Sequence, residues 1–232
     1  MTLTLLRRLH RWVAVVVGVQ LLLWAVSGAT FAWLDEGEVS GAHLSRPLER
    51  QTVPAEQALA DPRAWIRAGT HEVRLQRVGE RWVYRVASPA GTRLHDAADG
   101  SRVVIDAATA RALSLAHYAG DGELQEVVFH EASTLETRKH GAAWAASFAD
   151  ASGTTLWLSA DDGRLLETRT DAWRLFDFFW MLHTMDYEGR DDFNHPLVIL
   201  FATGALWVAL TGLWLVLRVF RKPGAASTQV GG

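Results

Sequence analysis

Residues 12–34 read WVAVVVGVQLLLWAVSGATFAWL, and residues 196–217 read PLVILFATGALWVALTGLWLVL. Neither stretch contains Asp, Glu, Lys or Arg. Each is close to the roughly 20 apolar residues that carry a helix across a bilayer. They lie towards the two ends of the 232-residue chain and leave a polar middle between them. The sequence therefore predicts two transmembrane helices, 12–34 and 196–217, with everything else as flank or insert.

Charge orients them. Arg7, Arg8 and Arg11 precede the first stretch, and Arg218, Arg221 and Lys222 follow the second. Basic residues beside a span mark its cytoplasmic end. Residues 1–11 and 218–232 are thus expected in the cytoplasm, and residues 35–195 outside a bacterial inner membrane, in the periplasm. The acidic Asp35, Glu36 and Glu38 suit that outer face. Trp12 and Trp33 stand where interfacial aromatic residues belong. Ser27-Gly28-Ala29 could pass for a signal-peptidase site, but the apolar run exceeds the roughly 7–15 residues of a signal core. The first stretch is read as an anchor.

The middle, 35–171, reads as α+β. Residues 39–53 are turn-rich and suggest a linker. Pro54 to Ala60 looks like a helix start with Pro in its first turn. Glu72 to Val78 alternates at period two, and Trp82 to Val86 follows after Gly79-Glu80, which predicts a hairpin. Arg102 to Asp106 reads as a third strand and 107–118 as a helix. Gln125 to His130 reads as a strand, and Ala143 to Ala149 with Thr154 to Leu158 as a second hairpin. Ser159-Ala160-Asp161-Asp162-Gly163 turns into a short strand. That turn and Asp106-Ala107-Ala108-Thr109-Ala110 are read as equivalent positions in two related units. Residues 172–195 hold an amphipathic helix, Trp173 to His183, too short and too charged to span. Arg174, Asp177 and Thr184 share one side, and the rest is aromatic and apolar, as for a helix lying in the membrane surface.

Composition excludes much chemistry. Cysteine is absent, which removes disulfides, thiolate metal sites and covalent haem attachment. No basic patch lies outside the span ends, so nucleic acid is not an expected partner. No nucleophile elbow, phosphate-binding glycine loop or H-E-x-x-H motif occurs. Of nine histidines, six lie in the polar middle without ligand spacing. The other three sit at membrane boundaries: His10, His183 and His195. Neutral imidazole is a common haem ligand, and a bis-His site needs no cysteine. His10 and His195 belong at opposite faces, so they cannot share an iron within one chain. His183 and His195 belong at the same face and are read as the ligand pair of an outer haem b. His10 could hold an inner one with its counterpart from a second copy. A competing reading makes all three merely interfacial polar residues. Asp186, Glu188, Asp191 and Asp192 offer a further set of hard oxygen ligands, or simply a solvated acidic loop. Small residues in the spans (Gly18, Ser27, Gly28, Gly204, Ala205, Ala209, Gly212) permit close helix contact, within the chain or in a homodimer.

Arg7-Arg8-Leu9-His10-Arg11-Trp12, the helix–strand–strand pattern of the middle, and Leu182-His183 with Asn194-His195-Pro196 resemble the PepSY-associated transmembrane family. The resemblance covers nearly the whole chain. It implies a PepSY-like antiparallel sheet and helix domain between the spans. Family members include inner-membrane proteins of iron uptake, some of them ferric-siderophore reductases with b-type haem held by helix histidines. It thereby implies His10, His183 and His195 as cofactor-binding positions, membrane lipid as surroundings, and a ferric siderophore as substrate. The larger reductases have four or more spans, whereas this sequence offers two. PepSY domains are also linked to protease regulation, so a non-enzymatic anchored sensing or regulatory module is the alternative expectation.

Overall fold

The computed structural model describes residues 3–46 and 52–220. Arg221 and Lys222 of the expected cytoplasmic flank, and part of the expected 39–53 linker, lie outside the described residues. The chain divides into two compact units, residues 34–176 and the terminal segments 1–33 with 177–232.

The terminal unit is built on two long helices, α1 (Leu3–Trp33) and, last in the chain, α5 (Pro196–Phe220). Both have a mean hydropathy of 2.0 over their most apolar window. Side chains pack antiparallel: His10 meets Thr211, and a Cβ on Gly204 would lie 3.1 Å from Val17. The start of α1 and the end of α5 therefore lie side by side, which brings Arg7, Arg8 and Arg11 to the same end as Arg218. None of the α5 residues is buried, and Leu200, Leu206 and Leu210 are each about three-fifths exposed. A soluble protein would bury such a helix in its core. An unburied apolar helix of this length is suited to lipid.

The central unit opens with α2 (Glu36–Ser40), whose first turn is capped by the Asp35 carboxylate accepting from the Glu38 amide. Gly41 ends it at φ 62°, where an added Cβ would lie 2.7 Å from Thr168. Strands β1 (Glu72–Val78), β2 (Arg81–Ser88), β3 (Gly91–Asp96) and β4 (Arg102–Val103) form one antiparallel meander. Helix α3 (Ala107–His117) follows. Strands β5 (Glu123–His130), β6 (Ala143–Ala149), β7 (Thr155–Ser159) and β8 (Leu165–Arg169) form a second meander, followed by α4 (Asp171–Thr184). Val78, Val83 and Leu94 from the first sheet share a core with Ile105, with Ala110 and Leu113 of α3, and with Leu158 of the second sheet.

The expected hairpins form, with Val78 opposite Arg81 and Ala145 opposite Trp157. Two of these expectations need correction, and the structure adds one strand. Pro54 to Ala60 is not helical; the local helix is a single 3-10 turn, Pro62–Trp65, capped by Asp61. The 54–60 stretch has helical propensity but no apolar stripe to bury, and short helices depend on packing rather than propensity. Strand β3 was not evident in the sequence, because Leu94 is its sole fully buried side chain. The strand expected at Arg102–Asp106 contracts to two residues, since the Asp106 carboxylate accepts from the Thr109 amide and starts α3.

The expected repeat exists, but in another register. Asp106–Ala110 opens a helix and is not equivalent to the turn Ser159–Gly163. The equivalent is Asp96-Ala97-Ala98-Asp99-Gly100. In one turn the Gly100 amide donates to the Asp96 carbonyl at 2.9 Å; in the other Gly163 donates to Ser159 at 2.9 Å. The Asp99 and Asp162 carboxylates accept from the next-but-one amides, Ser101 and Arg164. The glycines have φ of 80° and 70°. Each half is thus four strands and a helix, with an Asp-Gly turn between its last two strands. An ion pair crosses between the halves: Arg85 of β2 donates to Asp162 at 2.8 Å and to Glu72 at 2.7 Å. The Asp162 side chain is only 3% exposed. Replacing Asp162 by Ala should leave Arg85 with Glu72 as its one carboxylate partner and cost about 2 kcal/mol, as for a lost hydrogen bond to a charged group. A denaturant titration of the purified protein followed by circular dichroism checks this, and an unchanged midpoint would show that the pair is not a fastening.

The buried His117 ends α3. Its Nδ1–H donates to the Arg46 carbonyl at 3.1 Å, and its Nε2 has no hydrogen-bond partner among the described residues. Burial pushes the imidazole below its ordinary value, and the bond to Arg46 offsets this in part. The folded state therefore favours neutral His117, and the Arg46 guanidinium held on the Tyr118 carbonyl adds no compensating negative charge. A depressed folded-state pKa gives stability that is complete above the unfolded value near 6.5 and lost as pH falls below it. The thermal midpoint should fall between pH 7 and pH 5, and His117→Asn, which keeps a donor to Arg46, should flatten that dependence.

Candidate functional site

The three boundary histidines all fall in the terminal unit, and their surroundings differ. His183 lies in the last turn of α4, which ends at Thr184. The last carbonyls of a helix have no partner within it. Here α1 supplies them: Gln20 Nε2 donates to the Leu182 carbonyl at 3.3 Å, and Trp24 Nε1 donates to the His183 carbonyl at 2.8 Å. The His183 ring then meets Ser27, with Nδ1 and Oγ 2.8 Å apart. Ser27 is completely buried, and its hydroxyl donates back to the Trp24 carbonyl at 3.1 Å. With that proton committed, Ser27 Oγ accepts and His183 Nδ1–H donates. That arrangement of the Ser27 proton would leave the lone pair of His183 on Nε2. Phe31 and Trp24 flank the ring at 5.6 and 6.3 Å between centroids. Desolvation lowers the pKa of His183, which favours the neutral imidazole.

His10 repeats the device at the other end of α1. Its Nδ1 lies 2.7 Å from Thr211 Oγ1, and Thr211 donates its own proton to the Trp207 carbonyl at 2.7 Å. The His10 Nδ1–H is again the donor and Nε2 the free nitrogen. Trp207 tilts against the ring at 6.1 Å. Gly212 leaves the room: a Cβ there would lie 3.4 Å from His10 Cε1 and 3.8 Å from Nε2. Among the described residues neither Nε2 makes a hydrogen bond. Residues 10 and 27 are 17 positions apart, about 26 Å along a helix, so the two histidines mark separate places near opposite ends of α1.

His195 does a different job. It precedes α5, its Nδ1 accepts from the Leu197 amide at 3.4 Å, and its carbonyl accepts from Ile199. It serves as a helix cap. The hydrogen bonds and ring contacts of His183 run to α1, those of His195 to its own helix.

The acidic loop is organised around one carboxylate. Asp186 accepts from the amides of Gly189, Asp191 and Asp192 at 3.0–3.1 Å and from Glu188 at 3.3 Å. Burial disfavours its charge, but these amides outweigh burial and hold the carboxyl at about 2. Among the described residues no group of three His, Asp or Glu side chains is placed to hold a metal ion. Asp177 pairs with Arg190, and the Trp180 indole donates to the Arg190 carbonyl at 3.0 Å. The polar side of the second half of α4 therefore points inward, with Asp177 and Thr184 buried, while Phe178 is exposed.

Gln20, Trp24, Ser27 and Thr211 were not singled out by sequence as supports of a site. Gln20 carried a signal: a primary amide inside an apolar span seeks a partner.

Residues 7–230 match the family described as PepSY-associated TM region. The chain belongs to that family. No curated protein and no solved structure matches it. The match covers both long helices and the domain between them, and the described residues of this PepSY-associated membrane protein include two helices long and apolar enough to cross a bilayer.

Ser27→Ala should leave the His183 ring without its acceptor and cost about 1 kcal/mol. Unfolding of the protein in nanodiscs measures the loss, and nitrogen-15 histidine shifts should show the two tautomers of His183 becoming mixed. A ring that remains a single tautomer would show that Ser27 does not set it.

Proposed function

We propose that this protein is a b-type haem protein of the bacterial inner membrane that passes electrons to ferric complexes in the periplasm. The observation that supports it most is the pair of histidines with Nδ1 anchored to a hydroxyl and Nε2 left open. Metal-bound histidines characteristically have the second ring nitrogen donating to an acceptor, which fixes the tautomer and the ring direction. Ser27 and Thr211 meet that requirement. The donor set also fits: neutral imidazoles with aromatic neighbours and no thiolate. Bound haem b would supply one-electron chemistry at these positions.

The chain's own residues divide the remaining tasks. Ser27 and Thr211 orient the ligand nitrogens, Gly212 keeps the space beside His10, and Trp24, Phe31 and Trp207 exclude water. In this reading residues 1–11 and 218–232 are cytoplasmic and the central domain periplasmic, since the basic ends of α1 and α5 lie together. Delivery of one electron to a ferric siderophore converts Fe³⁺ to Fe²⁺, which hard oxygen ligands hold less firmly. Each position offers one imidazole from the chain, so a homodimer that brings equivalent histidines together would complete bis-His ligation. His195 stays available in sequence terms, but its capping role makes it the weaker ligand.

The test is a reduced-minus-oxidised spectrum of the purified protein with a pyridine haemochrome assay. His183→Ala and His10→Ala should each remove one part of the b-type absorption and leave the other. Absence of haem after expression with ample haem would overturn the reading and leave a membrane-anchored PepSY regulatory module.

A further inference from the structure

The second sheet has two unlike faces. One packs Val127, Trp144, Phe148, Leu156 and Leu158 into the core. The other forms an open cleft of about 410 Å³. Its floor is small and its walls are set by strand register. Glu126 of β5 stands opposite Ser147 of β6, which stands opposite Thr155 of β7. The adjacent row is Val128, Ala145 and Trp157. One row is polar and the other apolar, side by side on one face.

The β5–β6 connection supplies the remaining wall, and it is firmly held. Glu136 accepts from the Trp157 indole at 2.8 Å and from Arg174 Nε at 2.8 Å. Its own carbonyl accepts from Arg169 at 2.8 Å. This positions Leu135, about half exposed, at the mouth. A wall fixed in advance lowers the ordering cost of binding.

The charges decide what the cleft takes. Arg174 is held by four hydrogen bonds: besides Glu136 it donates to the Gly153 carbonyl at 2.8 Å, to Asp171 at 2.9 Å and to Thr155 at 3.1 Å. Its positive charge is matched by two carboxylates. The exposed Glu126 side chain makes no hydrogen bond or ion pair with a described residue, although it lines the same cleft. His130 also lines the cleft, with its ring 5.0 Å from that of Trp157; the remaining open charge is the negative one of Glu126, next to an unengaged Ser147 hydroxyl and an apolar floor.

We propose that this cleft binds a small organic cation, a protonated primary amine carried on an apolar body. The ammonium pairs with Glu126 and reaches Ser147, while the body lies over Ala145 between Val128, Leu135 and Trp157. This site is independent of the haem reading and uses none of its residues.

The test compares phenethylamine with 3-phenylpropionate, which have similar bodies and opposite charge, by calorimetric titration of the full chain in nanodiscs. Glu126→Gln and Ser147→Leu serve as variants, and uptake into lipid cancels between them. The wild type should prefer the amine by about tenfold, as one charge-assisted contact would give. Glu126→Gln should remove that preference with no change for the acid, and Ser147→Leu should block both ligands by filling the floor. Equal affinities in the wild type, an unaffected Glu126→Gln, preference for the acid, or no saturable binding would each overturn the proposal.

Discussion

A helix that ends among apolar side chains leaves carbonyls that nothing within it can satisfy. Helix α4 ends this way, and the structure of the terminal unit follows from how that need is met. Gln20 and Trp24 of α1 donate to the carbonyls of Leu182 and His183. Those bonds fix the last turn of α4 against α1, and the turn carries the His183 ring onto Ser27. One turn of backbone thus determines which span the histidine faces, which nitrogen bears its proton, and which nitrogen stays open. The primary amide of Gln20 is tolerated in a span because an unsatisfied carbonyl there would cost more than the amide does.

The hydroxyl device at His10 and His183 uses a property of helical Ser and Thr. Their protons commonly return to a carbonyl three or four residues back. Ser27 does so to Trp24 and Thr211 to Trp207. The oxygen keeps lone pairs for an incoming N–H, so it accepts from a neighbouring helix without adding an unpaired polar group to the apolar interior. An arginine or carboxylate could also fix the ring, but would introduce a charge where charge is expensive. The same economy explains α4 itself. In water its polar stripe would face out; here Asp177 and Thr184 are buried, Asp177 against Arg190, and Phe178 is exposed.

What sequence revealed followed from patterns that depend on neighbours in the chain. The two spans, the β1–β2 hairpin and the helix after residue 106 were legible because length, alternation and helical patterning are local, whereas Asp106 read as strand and caps α3 instead. His10 and His183 could be singled out by position alone. Their partners could not, since Ser27 is 156 residues from His183 and Thr211 is 201 from His10. The repeat was misregistered for a related reason. Asp96–Gly100 and Ser159–Gly163 share the Ala and Asp-Gly positions, but the strand that identifies the first as a turn, β3, has only Leu94 fully buried and shows almost no pattern. The open face of the second sheet was invisible for the same reason: its polar row is assembled across three strands, one residue from each.

The separation of His10 and His183 has a further consequence for any haem reading. About 26 Å along α1 is too far for a shared iron, and His195 is engaged as a cap at the start of α5. On the proposed reading each position would contribute one ligand, whereas bis-His coordination needs two. A chain with four spans can draw the second imidazole from its own helices. A chain with two can draw it from a symmetric copy, because a two-fold axis brings the same residue to the other side of one plane. On the proposed haem reading, a symmetric pair of chains would supply the second imidazole at each position.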